Sequence, residues 1–392
     1  MVSTVAGPTR APAQRVVAAL GVVVLAGGAI LLGADGWRLG ALFVVGGLLG
    51  VTLYHSAFGF TWAYRTAIVN RDVSGMLAQL IMLAAAMMLF APILAQGSAF
   101  GRGVVGAVAP LGVQVAVGSF LFGLGMQLGG GCGSGTLFTV GGGSTRMALT
   151  LVAFIAGAFW GSLDMPFWAT MPRLPSVSLA RDLGWEWAIP LQLAVMALIW
   201  GGLRLWAGDT SQKPVWDQTM SWRRLLVGPW PLLLGAGLLA FLNWVTLLIA
   251  GHPWTITWAF TLWGAKAAMI LGWDPATSPF WNGAFQSRAL ARPILVDVTS
   301  VMDIGIIIGA LTAAGLARRF APTLAIPPRA WIAAIIGGLL MGYGARLAYG
   351  CNIGAFFSGV ASTSLHAWLW IVCALAGTWI GVRLRPLFAL GN

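Results

Sequence analysis

The sequence predicts an all-α polytopic integral membrane protein made of two inverted repeats, whose re-entrant glycine loops meet at the bilayer midplane. Three observations carry that prediction. The 392 residues are 59% hydrophobic and only 8% charged, with a mean hydropathy of +0.87, whereas soluble domains carry about 25% charged residues. Apolar stretches close to the ~20 residues that cross a bilayer recur along the whole length. Finally, GGGCGSGTLF (129–138) and YGCNIGAFF (349–357) share a Gly-Cys-x-x-Gly core in a chain with only 3 Cys.

The first repeat, 1–207, begins with MVSTVAGPTRAPAQR, which is too polar to span. The apolar run behind it lacks a cleavage pattern and reads as a first membrane helix, not a removable signal. Apolar segments follow near 16–33, 37–57, 73–96, 104–128, 147–168 and 186–206. The polar stretch GDTSQKPVWDQTMSWRR, 208–224, reads as a cytoplasmic linker. The second repeat, 225–392, holds segments near 225–250, 255–272, 295–316, 330–349 and 365–387. Some of these only re-enter the membrane, so roughly nine to eleven true spans are expected.

The formal charge of +12 would suggest nucleic acid in a soluble protein, but the basic residues sit in short loops and act as topology signals. With the N-terminus inside, the inner loops collect fourteen of them (Arg10, Arg15, Arg65, Arg71, Arg146, Arg204, Lys213, Arg223, Arg224, Arg318, Arg319, Arg329, Arg383, Arg385). The outer loops hold six: Arg38, Arg102, Arg173, Arg181, Arg288 and Arg292. This orientation requires 255–292 to be a re-entrant excursion. No GxxxxGK[ST] motif is present, which argues against ATP-driven transport by this chain alone. Three cysteines and three scattered histidines offer neither a disulfide framework nor zinc spacing, so no metal or cofactor is expected. The chain does not read as an enzyme.

The halves repeat each other in three ordered blocks. FGFTWAYR (58–65) matches WTITWAFT (254–261), and DVSGM (72–76) matches DVTSV (297–301). Superposing Cys132 on Cys351 also superposes Gly125 on Gly344, Gly131 on Gly350, Gly135 on Gly354 and Trp160 on Trp379. In the charge-derived topology the Cys132 loop follows a span running inward and the Cys351 loop one running outward. The repeats are therefore inverted, and the cysteines mark equivalent points on one pathway.

Glycine lets backbone approach backbone, and irregular backbone survives in a membrane only when buried in protein or lining a polar path. Free N–H groups of such broken helices suit an anion, although glycines also serve close helix packing. Cysteine adds a weak S–H donor that a sulfur compound can use. The candidate pathway residues are Cys132, Cys351, Gly131, Gly133, Ser134, Gly135, Gly350, Asn352, Gly354, Gly59 and Lys266. Lys266 either attracts an anion or snorkels. Arg346, Asp303 and Cys373 are secondary candidates. Asp303 is either the partner of Arg346 or a proton site, and Cys373 sits in a plain apolar helix.

Through these segments, with PWTITWAFTLWGAK, MDIGIIIGAL and GYGARLAYGCNIGAFFSG, the chain resembles the YeeE/YedE family of bacterial inner-membrane sulfur transporters, which implies a bacterial inner-membrane setting. The resemblance implies uptake of thiosulfate or a related small sulfur-containing anion, and an hourglass fold with loops from both sides meeting at a constriction. It implies that Cys132 and Cys351 contact the passing ion through S–H hydrogen bonds. It also implies a small TusA-like sulfur-carrier protein as cytoplasmic partner. A further family cysteine in the FxFT segment is replaced here by Gly59, which leaves sulfite or a selenium compound open as substrate. A passive channel for a small solute and a membrane thiol oxidoreductase are the readings from other classes.

Overall fold

The computed structural model describes residues 11–34, 36–208 and 220–391. Eighteen α-helices dominate it. The first half comprises α1 (Ala11–Gly33), α2 (Trp37–Ser56), α3 (Phe60–Asn70), α4 (Ser74–Gln96), α5 (Val113–Gly129), α6 (Gly133–Gly141) and α7 (Thr145–Leu163). Short α8 (Met165–Trp168) and α9 (Leu179–Leu183) lead to α10 (Trp185–Ala207). The second half runs from α11 (Trp222–Val227) through α12 (Leu232–Ala250), α13 (Thr257–Ile270), α14 (Ala284–Ala291), α15 (Val298–Leu316) and α16 (Pro328–Leu347). A π-helical turn, Asn352–Phe357, then continues into α17 (Ser358–Ala361) and α18 (His366–Leu384). Two short antiparallel ribbons, β1 (Ser98–Ala99) with β2 (Arg102–Gly103) and β3 (Pro110–Gly112) with β4 (Arg173–Ser176), tie the loops.

Among the described residues ten stretches are long and apolar enough to cross a membrane, within the expected range. The chain is an all-α polytopic membrane protein. Helix α13 has 14 residues, about 21 Å at 1.5 Å per residue, too short to cross the ~30 Å hydrocarbon core. The segment expected near 104–128 becomes helical only at Val113, because the preceding stretch forms the ribbons. The predicted linker 208–224 falls mostly outside the described residues. Its end and the start of the predicted second repeat share α11.

The order α2 to α7 is matched by α12, α13, α15, α16, the π turn with α17, and α18. Contacts exchange accordingly. Helix α2 packs on α15 and α12 on α4; α5 packs on α18 and α16 on α7; α2 meets α12 and α5 meets α16. Helices α5 and α16 run antiparallel, with Gly118 against Gly344 and Gly125 against Gly337. Glycine makes these seams close. A methyl group on Gly123 would overlap the Ala374 carbonyl, and one on Gly377 the Phe120 carbonyl. Such backbone-to-backbone packing replaces the hydrophobic drive that lipid removes. The large buried side chains Phe122, Phe154, Phe260, Phe357 and Trp370 fill the centre between the halves.

Candidate functional site

Each glycine–cysteine loop ends one long helix and begins a short one. Helix α5 stops at Gly130, whose φ of 99° is the left-handed conformation glycine allows without strain. Cys132 then caps α6 with φ −80° and ψ −165°. In the other half Tyr349 takes φ 60° and Gly350 φ 146°. Cys351 caps the π turn with φ −96° and ψ −167°, close to the conformation of Cys132. Such π turns are rare and concentrate at functional positions.

The two loops meet. A Cβ placed on Gly133, which follows Cys132, would lie 2.9 Å from Cys351 Sγ and 3.5 Å from Ile256 Cγ2. Cys132 is 0% exposed and Cys351 1%, so the chain is closed at this point. Ser134 Oγ lies 3.4 Å from Cys132 Sγ, and the Ile353 amide donates to Cys351 Sγ at 3.4 Å. A sulfur that already accepts an N–H bond keeps its own S–H free to donate. Asn352 Nδ2 donates to the Tyr64 hydroxyl at 3.5 Å, crossing from one half to the other. Asn352 Oδ1 is buried with no partner among the described residues.

The surrounding segment is held by a polar staple. Asn243 Oδ1 accepts from the Trp254 amide at 2.8 Å, and its Nδ2 donates to Ser358 Oγ at 3.2 Å. Ser358 Oγ in turn donates to the Trp254 carbonyl at 3.0 Å. This fixes the stretch before α13, so that Thr255 stands beside Gly354 (3.7 Å from a Cβ there to Thr255 Cβ). The Gly350 carbonyl accepts from Trp370 Nε1 at 3.3 Å, and Phe356 stacks on Trp370.

Cys132, Gly131, Gly133, Ser134, Gly135, Cys351, Gly350, Asn352 and Gly354 thus lie in two adjoining loops. The other candidates lie outside these two loops. Gly59 caps α3 and lines a small hollow with Trp62, Gly75 and Gln79. Lys266 Nζ donates to the Leu290 carbonyl at 2.7 Å and the Arg292 carbonyl at 2.8 Å, closing the C-terminal end of α14. Its ammonium is consumed by carbonyls that helix termini leave open. Cys373 is half-buried on α18. Arg346 lies over the Phe280 ring at 4.9 Å and forms no ion pair with Asp303. Asp303 is fully buried, and neither of its oxygens has a partner among the described residues.

Sequence reasoning missed four contributors. Tyr64 and Ile256 are ordinary apolar-helix residues until the loops bring them to the cysteines. Arg146 donates to the Leu128 and Ala330 carbonyls and abuts Gly130, while Arg385 donates to the Gln127 carbonyl at 2.6 Å. Both were counted only as topology signals, yet they cap the end of α5 beside the Cys132 loop. Across the molecule, a cavity of 240 Å³ opens beside Ser362 at the end of α17, lined also by Ser178, Arg181 and Trp185.

Comparison with known proteins agrees with this architecture. A family described as Sulphur transport matches residues 55–380. The chain is 34% identical over 181 residues to the probable transporter YedE of Escherichia coli K12, covering 45% of this chain and 43% of that protein. The match thus spans less than half of YedE. It is 26% identical over 360 residues to the thiosulfate transporter TsuA of Spirochaeta thermophila, covering 86% of this chain and 96% of that protein. Against the thiosulfate transporter TsuA of Escherichia coli K12 the identity is 25% over 359 residues, covering 88% and 94%. The chain therefore belongs to the Sulphur transport family, the YeeE/YedE family its motifs resemble, which is one of membrane transporters and not of enzymes.

Proposed function

We propose that this protein takes up thiosulfate, or a closely related sulfur-containing anion, across the bacterial inner membrane along a path through Cys132 and Cys351. The observation that carries the reading is the contact of Cys351 Sγ with Gly133, next to Cys132, at a buried junction of two matched loops. Antiparallel packing of α5 on α16 supports reading the halves as inverted repeats, with the boundaries 1–207 and 225–392. In the orientation given by the basic loops, the cavity beside Ser362 and Arg181 is the outer mouth. Arg146 and Arg385 then lie on the inner side, beyond Cys132. A small divalent anion entering this mouth would pass to the Cys351 loop, accept S–H bonds from both thiols, and leave toward the inner arginines. A TusA-like sulfur carrier would receive it there.

Gly59 favours a second substrate reading. Where the family pattern has a cysteine, this chain offers no sulfur, so sulfite or a selenium oxyanion competes for the same path. A passive channel or thiol oxidoreductase would lack saturable, cysteine-dependent anion uptake. The test is uptake of radiolabelled thiosulfate into proteoliposomes, with sulfite and selenite as competitors. Saturable uptake lost in Cys132→Ala and Cys351→Ala is expected. Uptake that persists in both variants would overturn the path, and sulfite or selenite displacing thiosulfate at lower concentration would reassign the substrate.

A further inference from the structure

Asp303 has no structural reason to be charged or polar. It sits in the second turn of α15, 0% exposed, with both carboxylate oxygens lacking a partner among the described residues. Unpaired buried polar groups are rare and call for an explanation, and in membrane spans they mark ion or proton pathways. The fold itself does not ask for a carboxylate there. By the match of DVSGM to DVTSV, the same position on α4 is Ala78, also 0% exposed.

The helix turns on either side of it adjoin the cysteine loops. One turn earlier, the Thr299 hydroxyl lies 3.1 Å from that of Thr255, which flanks Gly354 in the Cys351 loop. One turn later, the Ile307 carbonyl lies against Gly141 of α6, the helix that Cys132 caps. Asp297, at the start of the same helix, is held by the Ser300 amide and hydroxyl and by Trp258 Nε1. Other ionisable groups on the elements packed against α15 are engaged elsewhere or form no ion pair with Asp303. Arg38 of α2 donates to the Phe100 carbonyl, His55 packs on Trp230, and Tyr54 borders Gly142. Lys266 of α13 closes α14, and Arg224 of α11 donates to the Pro229 carbonyl. Arg15 of α1 and Arg223 of α11 are in no ion pair, and α6 brings only Cys132; the one ion pair among the described residues is Arg181 with Asp182.

We propose that Asp303 is a proton site that makes this protein a proton–anion symporter. The carboxyl holds a proton while the anion occupies the cysteine loops and gives it up on the inner side as the anion leaves. This rests on the anion-uptake reading above. An ionised carboxylate is costly without a partner, and a dianion nearby adds repulsion. Anion and proton therefore favour each other's binding, reciprocally. Thr299, one turn before Asp303, meets Thr255 beside the Cys351 loop.

Purified full-length protein in proteoliposomes tests this with two readouts. In the first, an outside-acid gradient of about one pH unit should raise thiosulfate accumulation up to about tenfold per coupled proton. In the second, adding thiosulfate should acidify a lumen loaded with a pH dye. Asp303→Asn, which fixes a neutral side chain, should still exchange internal for external thiosulfate but lose both the gradient response and the acidification. Asp303→Glu should recover them. Asp303→Asn responding to the gradient like the wild type would overturn the proposal. So would wild-type accumulation that ignores the pH gradient, whether or not a sodium gradient drives it. If Asp303→Asn cannot be purified, the wild-type dye signal decides alone, and no acidification overturns the proposal. Wild-type protein that does not exchange thiosulfate at all would instead sink the substrate reading, and this inference with it.

Discussion

Adding one methyl group at Gly133 should close the constriction. A Cβ there lies 2.9 Å from Cys351 Sγ, 3.4 Å from Cys351 Cβ and 3.5 Å from Ile256 Cγ2. The first distance is closer than carbon and sulfur tolerate, and the other neighbours block a sideways escape. Either the Cys351 side chain rotates or the two loops part. Overpacking of this kind costs about 1–3 kcal/mol. Because 1.4 kcal/mol is a factor of ten, Gly133→Ala should depress uptake by roughly five- to a hundred-fold. The loss should appear in the transport rate per molecule, with the protein still inserted. The control is Gly237→Ala on α12, where an added Cβ meets nothing within 4 Å; it should transport normally. The assay is initial-rate uptake of radiolabelled thiosulfate, normalised to purified protein, with melting temperature measured in detergent. Gly133→Ala transporting like wild type would show that Cys351 and Gly133 do not form the narrow point, and the pathway would have to lie elsewhere.

Three further outcomes follow from the placements above. Cys351→Ala should abolish saturable uptake while Cys373→Ala retains it, because Cys373 is half-buried on α18 away from both loops; equal loss on expression-normalised uptake would mean the wrong cysteines were assigned. Gly59→Cys should fit without strain, since a Cβ there meets nothing closer than 3.9 Å. One added S–H bond to a charged ligand, about 1.5–3 kcal/mol at most and partly offset by displaced water, should lower the half-saturating thiosulfate concentration, which saturation kinetics would read. Lys266→Met should lower the melting temperature by a few degrees, in line with about 1–2 kcal/mol for carbonyls left unpaired. Its half-saturating concentration should not change, and a large change would return Lys266 to the pathway.

Much of this protein was legible in its sequence because a membrane imposes simple rules. Spans must be apolar and long enough to cross, so composition and run length fixed an all-α polytopic fold and bounded the number of spans. Glycine and cysteine in matched loops were legible for a similar reason. Few residues tolerate the positive φ seen at Gly130 and Gly350, and both cysteines follow directly on a glycine in the shared Gly-Cys-x-x-Gly pattern. What the sequence left undecided was which polar groups face each other across the halves. Lys266 reads in sequence as a lone cation in an apolar segment, yet it serves the end of α14, 24 residues away along the chain. Arg146 and Arg385 read as topology signals, yet they cap α5 beside the Cys132 loop. Tyr64 carries no motif at all, and Asn352 finds it from 288 positions along the chain. Asp303 and Arg346 looked like partners by charge, but they sit on different helices with no ion pair between them. Periodicity and charge count report how a segment meets lipid and water, which is local. Pairing between the two halves depends on helix packing and on where each helix stops, and only the tertiary structure decides that.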